Sequence, residues 1–320
     1  MEFSAIEKAQ EFLRAHLPCT RLLRAESLSR VTGAEVYLKL ENELPTGSFK
    51  VRGALNALHH ARERGMVTGV VTSSTGNHGA AVAYAAKALG LTATVFLPQR
   101  PNPVKRARIA ELGAEIVEGG SDLEESREHA ARFAAERRHF NVVDGVNEDI
   151  AAGAGVMGFE ILEQLPETDA IFVPVGDSGL IRGVAGAAKH IRPGVRIVGV
   201  QPEGAPVYYR SWKEGRAVTG GPAETIADGM AVRVALEENV AELRRMVDEM
   251  VLVTDAAMLR AILRLIVDEH VIAEPSGAAS TAALLAAGRA HAGQRVVLIV
   301  SGANVAPEAL RQAAQMPTLS

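Results

Sequence analysis

The sequence predicts an α/β protein with mostly parallel sheets and helices packed on both faces of each sheet. Short runs rich in β-branched residues alternate along the chain with Ala-, Leu- and Glu-rich stretches of helical spacing. Several of these runs end in Gly, Ser, Thr or Asn just before a helical stretch begins. Strands that alternate with helices in this way pair in parallel, because each helix returns the chain to the start of the next strand.

Eight segments are predicted to be strands because they are short, apolar and rich in Val, Ile and Thr. They cover residues 35–40, 67–72, 92–97, 115–117, 171–175, 196–200, 250–253 and 295–300. Residues 79–89 and 255–269 are predicted to be helices from the spacing of their apolar side chains.

The composition excludes several classes of protein. With 320 residues, 48% of them hydrophobic, the chain is long enough to bury a large core. A formal net charge of -4 offers no basic surface, so no nucleic-acid partner is expected. The one cysteine, Cys19, cannot form an intrachain disulfide, and no Cys/His cluster has zinc spacing. No run of about 18 uncharged apolar residues could span a membrane, so a cytoplasmic enzyme without a membrane partner is expected.

Three loops rich in small polar residues follow predicted strands, at residues 73–77, 176–179 and 301–304. In open parallel sheets, ligands bind beyond the carboxyl ends of the strands, where these loops lie. The segment 176–183 also opens a helix and suits a phosphate, because backbone N–H groups and a helix N-terminus attract anions. A tight strand-to-helix turn without a ligand explains the same residues equally well.

Three side chains near these loops are candidates for chemistry. Lys50 has small and aromatic neighbours at a predicted helix start, where a deprotonated amine can condense with a carbonyl group; a solvated surface cation is the alternative. His78 can act as a general base, although a structural hydrogen bond beside a helix start is the favoured interpretation. Asn77 can bind a phenolate or carboxylate oxygen, or it can cap a helix.

The order of these motifs resembles that of the fold-type-II pyridoxal-phosphate enzymes, specifically the threonine/serine dehydratase group. The similar segments are TGSFKVRGA, STGNHG, VPVGDSGLIRG, TIADGMAV, AEPSGAAS and SGANV, which together span nearly the whole chain. The resemblance implies a tryptophan-synthase-β-like fold with two three-layer α/β domains. A small domain of residues 46–146 would be inserted into a large cofactor-binding domain of residues 1–45 and 147–320.

The resemblance also implies roles for individual residues. Lys50 would hold pyridoxal 5'-phosphate as a Schiff base and serve as the catalytic base. The other cofactor contacts would come from Phe49, Asn77, Gly176, Asp177, Ser178, Gly179, Leu180 and Ser301. The substrate carboxylate would be bound by Ser74, Thr75, Gly76, Asn77 and His78. A neutral Ser301 hydroxyl would leave the pyridine nitrogen largely unprotonated, which favours prompt loss of a β-substituent.

The activity implied by the resemblance is a β-elimination. The enzyme would be a dehydratase, or ammonia-lyase, that converts a hydroxy amino acid to a 2-oxo acid and ammonia, with threonine or serine as the default substrate. A homodimer is expected from the same resemblance. A nicotinamide oxidoreductase is a rival, but the sequence lacks the Gly-rich first turn and the following acidic residue that it needs. A non-catalytic relative is a second rival, which the presence of Lys50 disfavours.

The chain departs from the group at several positions. Asp177 and Ser178 interrupt the usual run of glycines in the phosphate loop, and Asp177 must turn away from a phosphate or pair with a cation such as Arg182. Gln201 and Val207 replace the metal ligands of metal-dependent relatives, so no metal is expected.

Other departures keep two alternatives open. Gly153-Ala154-Gly155 replaces a common Gly-Gln-Gly, which removes a polar side chain. Thr75 stands where serine racemases carry a serine base, which disfavours an amino-acid racemase without excluding it. The altered phosphate loop and the aromatic stretch 207–212 also resemble the hydroxyectoine-utilisation dehydratases of the same group. The aromatic residues themselves are predicted mainly to pack in the core.

Overall fold

The computed structural model describes residues 2–65, 67, 69–99, 101, 103–121 and 123–317. Strands in these ranges are, in chain order, β1 (Leu22–Arg24), β2 (Glu35–Leu40), β3 (Gly69–Ser73), β4 (Thr92–Leu97), β5 (Glu115–Glu118), β6 (Phe140–Asn141), β7 (Ala170–Pro174), β8 (Arg196–Pro202), β9 (Glu249–Val253) and β10 (Arg295–Val300).

All eight predicted strands are present, and β2, β4 and β10 have the predicted bounds. Residue 68 of the predicted strand 67–72 lies outside the described residues, and β3 begins at Gly69. The sequence did not predict β1 and β6, because strands of three and two residues are too short to show an alternating pattern.

The helices in the described ranges are α1 (Phe3–Arg14), α2 (Glu26–Thr32), α3 (Lys50–Glu63), α4 (Asn77–Ala88), α5 (Pro103–Glu111), α6 (Leu123–Arg137), α7 (Glu148–Gln164), α8 (Gly179–Ile191), α9 (Val207–Glu214), α10 (Glu237–Met246), α11 (Asp255–Glu269), α12 (Pro275–Ala286) and α13 (Pro307–Ala314). The predicted helices 79–89 and 255–269 are α4 and α11. The aromatic stretch starts α9, where Tyr208 is buried. Across the residues that the structure describes, no helix is long and apolar enough to cross a membrane.

The chain divides into two compact units. The small unit combines Phe3–Leu17 with Phe49–Ala154, and the large unit combines Pro18–Ser48 with the chain from Gly155 onward. Each unit has its own mostly parallel sheet, so the predicted α/β fold is confirmed. The domain bounds 46–146, and 1–45 with 147–320, stay a prediction.

The large unit contains a six-stranded sheet in the order β1-β2-β10-β7-β8-β9. All neighbouring strands pair in parallel except β1, which is antiparallel to β2. Both faces are buried: Leu298 and Phe172 belong to a core shared with α11 and α12, whereas the alternate residues Val297 and Ile299 are 0% exposed on the opposite face. Burial on both faces is the reason that these strands read as continuous apolar runs.

The small unit contains a parallel four-stranded sheet in the order β5-β4-β3-β6. Its two faces carry separate apolar clusters. Val95 and Leu97 of β4 pack with residues of α4 and α5, whereas Val71 and Phe96 pack with Ala130 and other residues of α6. Because successive side chains of a strand point to opposite faces, this division places helices on both sides of the sheet.

Candidate active site

In the large unit, the loops that follow β7 and β10 open at the same edge of the sheet, because these two parallel strands are direct neighbours. The first loop is Gly176-Asp177-Ser178, and α8 begins immediately after it at Gly179. The second loop begins at Ser301, which is 4% exposed. The structure thus brings the predicted phosphate loop and the predicted partner of the ring nitrogen to one edge of one sheet.

The phosphate loop is shaped by a close backbone approach and by an unusual conformation. A Cβ on Gly176 would lie 2.5 Å from the carbonyl oxygen of Gly229, so only glycine fits at the first position. Ser178 has φ +78°, a left-handed conformation that glycine adopts more readily than serine. The Ser178 hydroxyl is buried and makes no hydrogen bond within the described ranges. Buried hydroxyls normally have a partner, so this oxygen is suited to a ligand.

Asp177 turns its carboxylate toward the protein backbone. Its Oδ1 accepts a hydrogen bond of 3.1 Å from the backbone N–H of Gly179, the first residue of α8. The carboxylate therefore uses one of the N–H groups that a helix N-terminus leaves unsatisfied. Whether Asp177 turns away from a phosphate, as expected from the sequence, stays a prediction.

Arg182, which lies one turn into α8, forms an ion pair that is almost completely buried. Its Nε lies 2.6 Å from Glu242 Oε2 of α10, and the two side chains are 2% and 12% exposed. Burial alone would raise the pKa of the Glu242 carboxyl, but hydrogen bonds and positive charges, those of Arg182 among them, together outweigh burial, and the pKa is lowered. The pair fixes α8 against α10 behind the phosphate loop.

The loop after β10 is tied to the residues that precede Lys50 in sequence. Ser48 and Gly302 form an antiparallel bridge, and the Ala303 N–H donates to the Gly47 carbonyl oxygen at 2.9 Å. Asn304 Nδ2 donates to the Thr46 carbonyl oxygen at 2.9 Å. These bonds join two of the predicted motifs, TGSFK and SGANV, within the large unit.

In the small unit, Lys50 is the first residue of α3, and its side chain is 13% exposed. Its Nζ forms an ion pair with Asp144 Oδ2 and lies 5.1 Å from the centroid of the Phe49 ring. Lys50 is therefore not the solvated surface cation of the alternative interpretation.

The second predicted loop of the small unit follows β3 and leads into α4. A Cβ on Gly79 would lie 2.5 Å from the Ser74 carbonyl oxygen, so glycine allows the helix start to approach the loop. Ser73 to Asn77 are half-buried, and His78 is 7% exposed. His78 Nε2 lies 3.1 Å from the Val142 carbonyl oxygen, which matches the structural hydrogen bond favoured for this residue.

The small unit thus holds a partly buried amine that is paired with Asp144, and the large unit holds a buried hydroxyl at the N-terminus of α8. The family model of pyridoxal-phosphate-dependent enzymes matches residues 13–302. The chain is 38% identical to the L-threonine ammonia-lyase of Thermotoga maritima over 302 residues, which cover 94% of this chain and 75% of that protein. The chain belongs to the pyridoxal-phosphate-dependent enzymes, in their threonine dehydratase and ammonia-lyase group.

Solved structures of the family share the architecture. The processed threonine deaminase isoform 2 of Solanum lycopersicum superimposes with a TM-score of 0.92 at 30% identity, covering 99% of this chain and 94% of that one. Maize serine racemase superimposes with a TM-score of 0.91 at 32% identity, covering 98% and 96%. The family match makes pyridoxal phosphate the cofactor of this chain, and the similarity to the threonine ammonia-lyases places the chain among the carbon–oxygen lyases.

The side chains present fit pyridoxal phosphate. The cofactor needs an amine for covalent attachment and N–H and O–H donors for its phosphate. The small unit contains such an amine in Lys50, and the large unit contains donors of the required kind in the buried Ser178 hydroxyl and the N-terminus of α8. The buried Ser178 hydroxyl is the observation behind this fit, because a phosphate oxygen could accept its hydrogen bond.

Sequence reasoning missed Asp144, which contacts the nitrogen of Lys50. Asp144 follows β6, and that strand has only two residues and was not predicted. The available signal was an acidic residue directly before a glycine, in a stretch that the family motifs do not cover. Since polar residues at strand ends line ligand sites in parallel sheets, recognising β6 would have made Asp144 a candidate.

Proposed function

We propose that the chain acts on a hydroxy amino acid, threonine or serine by default, and releases a 2-oxo acid and ammonia. The observation that carries the proposal is the amine of Lys50 at the start of α3, which is partly buried and forms an ion pair with the Asp144 carboxylate. It occurs in a chain that is 38% identical to an L-threonine ammonia-lyase over 94% of its length.

The proposed binding roles follow the motifs. Lys50 carries the cofactor beside the Phe49 ring, and Asn77 contacts the phenolic oxygen of the cofactor. The phosphate is held by Gly176, Asp177, Ser178, Gly179 and Leu180, chiefly through backbone N–H groups at the start of α8. Ser301 hydrogen-bonds the ring nitrogen. The substrate carboxylate is held by Ser74, Thr75, Gly76, Asn77 and His78 at the start of α4.

Bound pyridoxal phosphate supplies an electron-accepting ring that makes the α-proton of an amino acid acidic. Lys50 Nζ removes that proton as a general base, so it must be neutral before this step and cationic after it. The electron pair of the broken Cα–H bond then expels the β-hydroxyl group, which takes up a proton and leaves as water. Hydrolysis of the released enamine consumes one water and gives the 2-oxo acid and ammonia. Ser301 is neutral, and this favours prompt elimination over a long-lived carbanion.

We also propose a homodimer, with a small domain of residues 46–146 and a large domain of residues 1–45 and 147–320. These bounds place the phosphate loop and Ser301 in the large domain, and Lys50 with the Ser74–His78 loop in the small one. Size-exclusion chromatography with light scattering measures the mass of the assembly, and a monomer would contradict the proposal.

The test of the activity begins with the cofactor. The purified protein is expected to show the visible absorbance of a lysine-linked cofactor. Borohydride reduction followed by peptide mass spectrometry should place the label on Lys50. Lys50→Ala should lose the label and reduce turnover on the order of 10³-fold or more. Lys87→Ala, which removes an exposed lysine of α4, is the matched control and should retain both the label on Lys50 and the turnover.

Keto-acid release is then measured with a panel of L-threonine, L-serine, D-serine and hydroxylated diamino acids. Turnover of L-threonine or L-serine supports the proposal. A labelled protein that is inert on both would leave the cofactor assignment in place and refute the default substrate. A protein without label at Lys50 would refute the cofactor assignment itself.

A racemase activity is the second candidate, because the fold matches maize serine racemase at a TM-score of 0.91. Thr75 occupies the slot of the racemase serine base, so we expect elimination to exceed racemisation. Chiral chromatography of residual L-serine distinguishes the two reactions.

A hydroxyectoine-utilisation-type dehydratase remains the alternative within the group. Asp177 and Ser178 in the phosphate loop favour it, because they depart from the glycine run of ordinary threonine dehydratases. Turnover confined to hydroxylated diamino acids in the panel is the result expected for this alternative.

A further inference from the structure

The Asp144 carboxylate contacts the amine of Lys50, the proposed catalytic base. The residue lies in the turn after β6, and its Oδ2 forms an ion pair with Lys50 Nζ. The side chains are 18% and 13% exposed, so solvent screens the pair less than it would on the surface. Both residues belong to the small unit.

A second residue faces the same carboxylate oxygen. His78 Nδ1 lies 3.5 Å from Asp144 Oδ2, and the other ring nitrogen of His78 lies 3.1 Å from the Val142 carbonyl oxygen. Val142 is two residues before Asp144, so the His78 ring contacts the same segment of chain at two points. The groups that face the Lys50 amine in this unit thus include the Asp144 carboxylate and the Phe49 ring, and His78 lies near the same carboxylate oxygen as Lys50.

We propose that Asp144 is the positioning residue for Lys50, holding its protonated amine and directing its nitrogen. This inference rests on the proposed function, in which Lys50 accepts the α-proton. A carboxylate beside an ammonium group favours the charged form, since their attraction is lost when the amine is neutral. Asp144 therefore stabilises Lys50 after it has taken the proton, and it opposes formation of the neutral amine that captures the cofactor.

Two rates must then respond to loss of the carboxylate in opposite directions. In Asp144→Asn, a larger fraction of Lys50 is neutral at pH 7, so the cofactor-free protein should capture pyridoxal phosphate about tenfold faster. Turnover should fall by about tenfold to a hundredfold, because the protonated amine loses its partner. Damage to the fold would slow both rates, whereas Asp144→Glu should restore both in part.

The test that does not depend on activity is the pH dependence of Lys50 labelling. The full-length protein, freed of cofactor, is treated with an amine-acylating reagent between pH 6 and pH 11, and the Lys50 peptide is quantified by mass spectrometry. In Asp144→Asn the pH midpoint of labelling should fall by about one unit or more.

The matched control is Asp149→Asn. Asp149 lies in the same unit, and its Oδ1 lies 2.7 Å from His60 Nδ1. This variant should leave the midpoint of Lys50 labelling unchanged. An unchanged midpoint in Asp144→Asn would overturn the inference, whatever happens to turnover. A lowered midpoint in a protein whose Lys50 does not carry the cofactor would instead show that the pair exists and that the proposed function is wrong.

Discussion

Asp177 Oδ1 and the Gly179 backbone N–H are joined by a hydrogen bond of 3.1 Å at the start of α8. The acidic side chain that interrupts the glycine run therefore acts as a local acceptor for the helix N-terminus. Its charge nevertheless remains next to the place proposed for a phosphate dianion. The Gly179 N–H is hydrogen-bonded within the loop, whereas the Ser178 hydroxyl is left as a donor for the phosphate.

Asp177→Asn should tighten cofactor binding. The amide oxygen can still accept from Gly179, but the negative charge beside the phosphate is gone, so the dissociation constant should fall about threefold to tenfold, or roughly 1 kcal/mol. The measurement is a titration of cofactor-free protein at two salt concentrations, and the effect should shrink at high salt. Glu203→Gln removes an exposed acid elsewhere and is the control for net charge. Weaker binding in Asp177→Asn would refute the electrostatic interpretation.

Ser178→Gly should separate stability from cofactor binding. Glycine adopts φ +78° without the cost that serine bears, so the cofactor-free protein should gain about 1 kcal/mol in free energy of unfolding. The loss of the hydroxyl should weaken cofactor binding about fivefold to tenfold, or roughly 1 kcal/mol. Urea denaturation and cofactor titration measure the two effects.

Ser178→Ala provides the comparison for that variant. It removes the same hydroxyl but keeps a side chain at a left-handed position, so it should weaken cofactor binding without the gain in stability. Equal cofactor affinity in wild type and both variants would show that the hydroxyl does not bind the phosphate.

Glu242→Gln should destabilise the fold strongly. The substitution removes the carboxylate that lies 2.6 Å from the buried guanidinium of Arg182, and removing one partner of a buried ion pair costs roughly 3 kcal/mol or more. Chemical denaturation at pH 7 measures the change. Glu35→Gln, which removes an exposed partner of Arg295, should cost no more than about 0.5 kcal/mol. Similar losses of unfolding free energy in the two variants would contradict the expectation that the buried ion pair stabilises the fold more than the exposed one.

The same pair should make stability depend on pH. The folded state lowers the pKa of Glu242, so the unfolded chain binds its proton more readily. The contribution of the pair is therefore fully present above the ordinary glutamate value of about 4.3, and it is lost as the pH falls through the lower folded value. Unfolding free energies measured between pH 3 and pH 7 should fall more steeply toward acid in the wild type than in Glu242→Gln.

Gly153→Ala tests the close approach of α3 and α7. A Cβ at this position would lie 2.6 Å from the Arg52 carbonyl oxygen and 2.9 Å from the Gly53 Cα, where backbone cannot move away cheaply. We expect a loss of roughly 2 kcal/mol in the free energy of unfolding. Gly194→Ala is the control, since no atom lies within 4 Å of its added Cβ. A change of stability no larger than that of the control would mean that the two helices separate easily.

The fold was largely predictable from the sequence. Strands β2, β4 and β10 have the predicted bounds because a strand buried on both faces needs a continuous apolar run, and that requirement is local in sequence. The loops that follow such strands were recognisable for the same reason, since small polar residues replace apolar ones where the strand ends. Strands β1 and β6 were not predicted, because three or two residues are too few to show the alternation of apolar and polar side chains that indicates a strand.

The sequence by itself determined the α/β class, the position of Lys50 at the start of a helix and the small polar loops after the strands. Only the tertiary structure decided which groups meet. Asp144 is 94 residues from Lys50 in the chain, yet its carboxylate contacts the amine. Glu242 is 60 residues from Arg182 and neutralises it inside the protein. Periodicity and local motifs record how a segment is buried, whereas the partner of a buried charge depends on how distant segments pack, which no local pattern encodes.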